Sequence, residues 1–186
     1  DDCGHGTRMA ATIAAPLNAA AAGVAHGANL RVFKVVNNVF IAFAPEINAV
    51  TSALLNTAFA PDMSIVSMSI GSPVYHTDIA WGISMAHMTG KLIFAAAGTS
   101  IAGTTFVPVF PGSLPLTTCI TGVRDRSSLW PCDDCHISPM VDFVVKMQGS
   151  QDDDLLAISL GRNNTTNQLN YSGGSSTATA TMAGIA

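Results

Sequence analysis

Short apolar runs recur along the chain with helical segments between them. MSIVSMS (63–69), KLIFAAA (91–97) and LTTCITGV (116–123) are each long enough for one buried strand. EINAVTSALLNTAFA (46–60) carries helical apolar spacing and ends before Pro61, and DIAWGISMAHMTG (78–90) is a helix stopped by Gly90. Strands buried on both faces read as near-continuous apolar runs, and alternation with helices gives them parallel partners. The expected fold is therefore α/β, a mostly parallel sheet with helices on both faces. NLRVFKVV (29–36), VDFVVKM (141–147) and DLLAISL (154–160) read as further strands. Residues 7–22 read as an Ala-rich helix broken or ended near Pro16, and the last ten residues as the start of another helix.

The 186 residues suit one domain spanning 1–186. Hydrophobic residues make up 48% and charged residues 11%, a balance that supports a packed core. Net charge is −4 and the eight Lys and Arg are scattered, which argues against a nucleic-acid partner. No segment reads as membrane-spanning: the most apolar stretch, AATIAAPLNAAAAGVA, is mostly alanine and contains Pro16 and Asn18. The sequence carries no signal of oligomeric state.

Both ends of the chain hold reactive residues among glycines. His5 stands between Gly4 and Gly6 where a helix begins, and Ser176 follows Gly173, Gly174 and Ser175 before a run of small residues. A nucleophilic serine needs a base within hydrogen-bond reach and room for a substrate backbone, which flanking glycines provide. A helix N-terminus beside it adds N–H donors and a positive dipole end for a developing oxyanion. Either motif alone is more often structural; the two together, with ordered features between them, are far more specific.

Those features are GHGTRMA (4–10), GVAHGANLRVFKV (23–35), MSIVSMSIGSP (63–73), LIFAAAG (92–98), FPGSLPLTTCITGVRD (110–125) and GSSTATATMAGIA (174–186). In this order they resemble the landmarks of the subtilisin-like serine proteases, the subtilases, across nearly the whole chain. The resemblance implies a serine endopeptidase in which His5 is general base and then general acid, and Ser176 forms the acyl-enzyme. It implies a polypeptide substrate paired along Ser69, Ile70 and Gly71. Ala96, Ala97 and Gly98 would form one wall of the pocket for the residue before the cleaved bond, and such small walls suit a medium or large apolar side chain. No cofactor is required for this chemistry, and the implied location is secreted or extracytoplasmic. The family's aspartate belongs roughly 30 residues before the histidine. Asp1 and Asp2 are too close to serve, so the expectation is a fragment truncated at both ends, lacking its first strand and that aspartate. Such a loss costs about 10⁴ in kcat in triads of this type.

Departures from the family pattern keep a catalytically silent, subtilase-fold binding or scaffold module as the alternative. Thr99 stands where the family places its oxyanion-hole asparagine, and a threonine hydroxyl reaches less far. Ser175, Thr177 and Ala180 replace Thr, Met and Pro around the nucleophile, and Val145-Lys146 falls near an expected Pro-Gly. Calcium often stabilises the family, but in the loop LNAAAAG (17–23) Asn18 is the only side-chain oxygen ligand, so the sequence supports no calcium site.

CDDCH (132–136) matches a c-type haem attachment signature, with His136 as axial ligand. A haem or metal protein built on Cys132, Cys135 and His136 is therefore a further alternative, although no second cysteine pair at zinc spacing accompanies it. The favoured expectation is a local turn whose cysteines pair with each other or with Cys3, or stay free. Cys119 reads as a buried small residue of a strand. His26, His76 and His87 read as structural or exposed. Asn163, Asn164 and Asn170 fit the glycosylation pattern, which matters only in a glycosylating host.

Overall fold

The computed structural model describes residues 4–19, 21–98, 109–124, 131–132, 135–147, 155–160 and 167–186. In chain order the elements are α1 (His5–Ala14), α2 (Ala44–Ala58), β1 (Ile65–Met68), α3 (Thr77–Met88), β2 (Leu92–Ala96), β3 (Thr118–Val123), β4 (Phe143–Lys146), β5 (Leu155–Leu160), β6 (Asn167–Ser172) and α4 (Gly174–Ile185). Strands β1 to β4 form a parallel sheet in the order β1-β2-β3-β4, and β5 pairs antiparallel with β6.

The sheet has a helical layer on each face because alternate strand residues point opposite ways. Ile93 and Ala95 of β2 pack with Val50, Leu54, Ile79 and Ile83 of α2 and α3. Phe94 and Ile120 face the other side, where Ala178 and Ala183 of α4 join Met147, Cys132 and Cys135. Helix α4 lies across all four parallel strands and against α1. Two of its inward hydroxyls are paired within the protein: Thr179 Oγ1 donates to the Ser175 carbonyl at 2.7 Å and Thr177 Oγ1 to the Gly173 carbonyl at 2.8 Å. A buried polar group stays inexpensive only when paired in this way.

Helix boundaries follow local chemistry. Helix α1 ends two residues before Pro16, because the residue before a proline is pushed out of the helical region; Ala15 sits at ψ 134°. The expected helix over 7–22 is thus real only in its first part. At the start of α2 the Glu46 Oε2 accepts from the backbone N–H groups of Ala42 and Phe43, at 2.8 and 3.1 Å. After α3 the chain turns at Gly90 with φ +82°.

One expectation is corrected, and one strand is added. Residues 29–36 form no strand, and Val32 is 69% exposed. Their β-branched composition favours extension, but a strand exists only where a ladder partner is present. In the other direction, β6 (Asn167–Ser172) was not expected, since its residues are mostly polar.

Candidate active site

Ser176 lies in the first turn of α4, whose N-cap is Gly173, and is half-buried. Its neighbour Ser175 points into the protein, fully buried, and its Oγ donates to the Gly98 carbonyl at 2.7 Å. The His136 N–H donates to the same carbonyl at 3.1 Å. Ser69 Oγ donates to the Ser176 carbonyl at 2.8 Å, which ties the end of β1 to the serine turn. The first-turn N–H groups of a helix lack intrahelical acceptors, and the dipole of this twelve-residue helix is positive at the end that carries Ser176.

His5 is the first residue of α1, entered through Gly4 at φ +68°, a left-handed conformation that glycine adopts without strain. Helices α1 and α4 pack together. Val24 meets both near their C-terminal ends: its N–H donates to the Thr12 carbonyl at 3.0 Å, and its side chain lies against Gly184. The two helices therefore run in the same sense, so their first turns, with His5 and Ser176, lie at the same end of the molecule. His5 Nε2 is buried and makes no hydrogen bond. Burial first, and then the nearby Arg8 guanidinium, hold its imidazole below its ordinary pKa, so the neutral base form persists to lower pH.

One cleft gathers most of the expected binding residues. Ser69, Ile70, Gly71, Ala96, Gly98 and Ser176 all line it. Ala97 does not: it is buried on the other side of the strand alternation, and its N–H donates to the Ile120 carbonyl at 2.8 Å. The backbone of Gly71 is already engaged, donating to the Val39 carbonyl at 3.0 Å and accepting from the Ile41 N–H at 2.9 Å. A substrate strand pairing at Gly71 has to displace those two bonds. Thr99, the expected oxyanion donor, lies outside the described residues, as do Asp1, Asp2, Cys3, Asn163 and Asn164.

The sequence did not point to Val39, Phe40, Ser72 and Val109, which also line the cleft. Ser72 and Phe110 exchange two backbone hydrogen bonds, of 2.7 and 2.9 Å, and so place Val109 against the cleft. His76 braces this junction: its Nε2 lies 3.0 Å from Ser72 Oγ, and its ring packs edge-on against Phe110. No local pattern announces these contacts, because their partners are far apart in the chain.

The haem alternative is overturned. Cys132 and Cys135 form a disulfide with each other, so neither sulfur is available for a thioether link. His136 is fully buried beneath the cleft, with its carbonyl accepting from Thr121 Oγ1 at 2.6 Å. Among the described residues no cluster of three or more His, Cys, Asp or Glu could hold a metal. Cys119 is free and buried in β3; burial, aided by Asp142, pushes its thiol up to about 12, which makes it inert.

Comparison with known proteins agrees with this architecture. The family model described as the subtilase family matches residues 1–186. Subtilisin E of Bacillus subtilis is 31% identical over 130 residues, covering 68% of this chain and 33% of its own length. Subtilisin of Bacillus pumilus is 30% identical over 130 residues, covering 68% of this chain and 46% of its own. Among solved structures, a protease from Pseudoalteromonas arctica aligns with TM-score 0.80 at 18% identity, over 97% of this chain and 56% of that one. Sphericase aligns with TM-score 0.76 at 23% identity, over the whole of this chain and 62% of that one. The chain belongs to the subtilase family. It spans between a third and a half of the length of these two curated relatives. Among the described residues no helix is long and apolar enough to cross a membrane.

Proposed function

We propose that this chain carries the nucleophile and general base of a subtilisin-type serine endopeptidase. The observation that supports it best is the single cleft that joins Ser176, at a helix N-terminus, to the backbone edge of Ser69–Gly71 and the small wall of Ala96 and Gly98. In this mechanism Ser176 Oγ attacks the carbonyl carbon of the scissile peptide and passes its proton to His5 Nε2. The tetrahedral oxyanion is held by N–H groups of the serine turn. The imidazolium then gives that proton to the departing amine as the C–N bond breaks. Water, deprotonated by His5, releases the acyl group and restores the serine. The chemistry needs no cofactor. The substrate is a polypeptide, held as an extended strand. A disulfide such as Cys132–Cys135 persists best in an oxidising compartment, which supports a secreted or extracytoplasmic location.

The test is labelling of the full-length protein with a fluorophosphonate. The expected result is one adduct, on Ser176, that abolishes peptide hydrolysis. A folded full-length protein that takes no label favours the silent binding module instead.

The His5 environment adds a pH prediction. A general base must be neutral, so kcat/KM rises with pH as His5 loses its proton and then levels. Arg8 lowers the His5 pKa by repelling the imidazolium. Arg8→Gln is therefore expected to move the acid limb of the kcat/KM profile to higher pH, with the plateau reached later. An unmoved limb would separate the measured titration from His5.

A further inference from the structure

The backbone edge beside Ser176 is covered by the chain itself. Phe40 pairs with Gly71 as a parallel bridge. Gly71 donates to the Val39 carbonyl at 3.0 Å and accepts from the Ile41 N–H at 2.9 Å, so both of its backbone groups are engaged. An extended peptide laid along Ser69–Gly71 needs those same two groups. The covering segment is held unevenly. Ile41 is 1% exposed and packs with Val50, Leu54, Ile79 and Ile83. Beyond it, Glu46 Oε2 accepts from the Ala42 and Phe43 N–H groups. On the other side Asn37 and Asn38 are exposed, and Phe40 is 43% exposed. The bond from the Phe40 N–H to Asn38 Oδ1, at 2.7 Å, shapes this exposed end. The pairing is a single bridge, whereas β1 and β2 share four registered pairs. Rotation about the N–Cα bond of Ile41 swings Val39 and Phe40 off the edge and leaves the Ile41 side chain in the core.

We propose, on the reading of Ser176 as nucleophile, that Val39–Ile41 is an autoinhibitory strap: it closes the edge at Gly71 in the free protein, and a peptide long enough to reach that edge binds only after the strap has peeled away. Two neutral backbone hydrogen bonds leave the open form a minor one, on the order of one molecule in ten to one in a hundred. A ligand that needs the open form loses apparent affinity by that fraction. The closure is selective by length. Both strap bonds fall on Gly71, whereas Ser69 is the residue that touches the Ser176 turn. A substrate with a single acylated residue before the cleaved bond stays beside Ser176 and Ser69, so the strap does not oppose it.

The experiment uses the full-length protein and two p-nitroanilides with the same final residue, one a single acetylated residue and one a tetrapeptide. Asn38→Ala removes the acceptor that orders the exposed end of the strap. It is expected to lower the tetrapeptide KM roughly 2- to 10-fold, the worth of one neutral hydrogen bond, with kcat unchanged. The KM of the single-residue substrate should not move. Asn38→Asp keeps an acceptor and should behave as the native protein. Amide hydrogen exchange reads the strap directly. In the peptide-free protein the Ile41 and Gly71 amides should both be protected. In the Ser176→Ala protein saturated with the tetrapeptide, Ile41 should exchange at least about tenfold faster, because the peptide has taken its acceptor. Gly71 should stay protected, since the peptide replaces Val39. An Ile41 amide that exchanges freely without peptide, or stays protected with it, overturns the strap, and so does an Asn38→Ala tetrapeptide KM equal to the native one. Fluorophosphonate labelling of Ser176 is measured in parallel. Labelled protein with any of those results leaves the peptidase proposal standing; absence of label in the folded native protein removes both.

Discussion

Ser176→Ala in the full-length protein is expected to lower kcat for peptide hydrolysis on the order of 10⁶-fold, as removal of the nucleophile does in triads of this type. That is about 8 kcal/mol of transition-state stabilisation, far beyond what a change in fold stability or substrate affinity could supply. The variant isolates chemistry from structure. Ser69 reaches this residue through its backbone carbonyl, which alanine retains. The neighbouring bond from Ser175 to Gly98 does not involve the Ser176 side chain. Alanine also suits a helix interior at least as well as serine. The melting curve should therefore be close to native while the rate collapses toward the residual catalysis of the oxyanion donors. The measurement is steady-state hydrolysis of a peptide anilide at saturating substrate beside a thermal melt. Retention of a tenth of the native rate would mean that another group performs the attack.

The second large effect is on stability. Ile120→Ala is expected to destabilise the fold by about 2–5 kcal/mol, the range for truncating a fully buried aliphatic side chain. Ile120 has no exposed surface and sits in β3, between β2 and β4. It packs with Phe94, Met147, Ala178 and the Cys132–Cys135 disulfide. That group can collapse little into the space left. Strand β3 is held on both sides and α4 is anchored over it. Ile120→Val should cost only about 0.5–1.5 kcal/mol, because most of the contact area survives. Trp81→Ala, at a half-exposed helix position, should change stability far less than Ile120→Ala. Urea unfolding of the full-length variants measures all three. An Ile120→Ala cost below that of Trp81→Ala would show that the two-faced core is not what holds the sheet.

Strands β2 and β3 were legible because a strand covered on both faces must be apolar almost throughout. Helix ends were legible for equally local reasons: Pro16 excludes the helical region from Ala15, and Gly90 tolerates a left-handed turn. The same reasoning failed at residues 29–36 and at β6. The first has strand composition and no ladder, while the second has a ladder with little strand composition. Hydrogen-bond partners, not side-chain preference, decide such cases.

The candidate site divides along the same line. His5 and Ser176 stood out by their glycine neighbours and by the order of motifs between them. That Ala96 and Gly98 face the cleft while Ala97 turns away depends on where the strand sits in the sheet. The pairing of the two cysteines was one of several arrangements the spacing allowed.

What the sequence by itself determined is short-range: the periods of strand and helix, the stops, and the presence of a nucleophile and a base in glycine-lined turns. These follow from sterics and polarity within a few residues. What only the tertiary structure decided is which of these groups meet and how much room they leave. Gly71, Gly98 and Val109 are separated along the chain, and nothing local to any of them encodes the others. The volume of a cavity belongs to the atoms that surround it, so it comes into being only when the chain has packed.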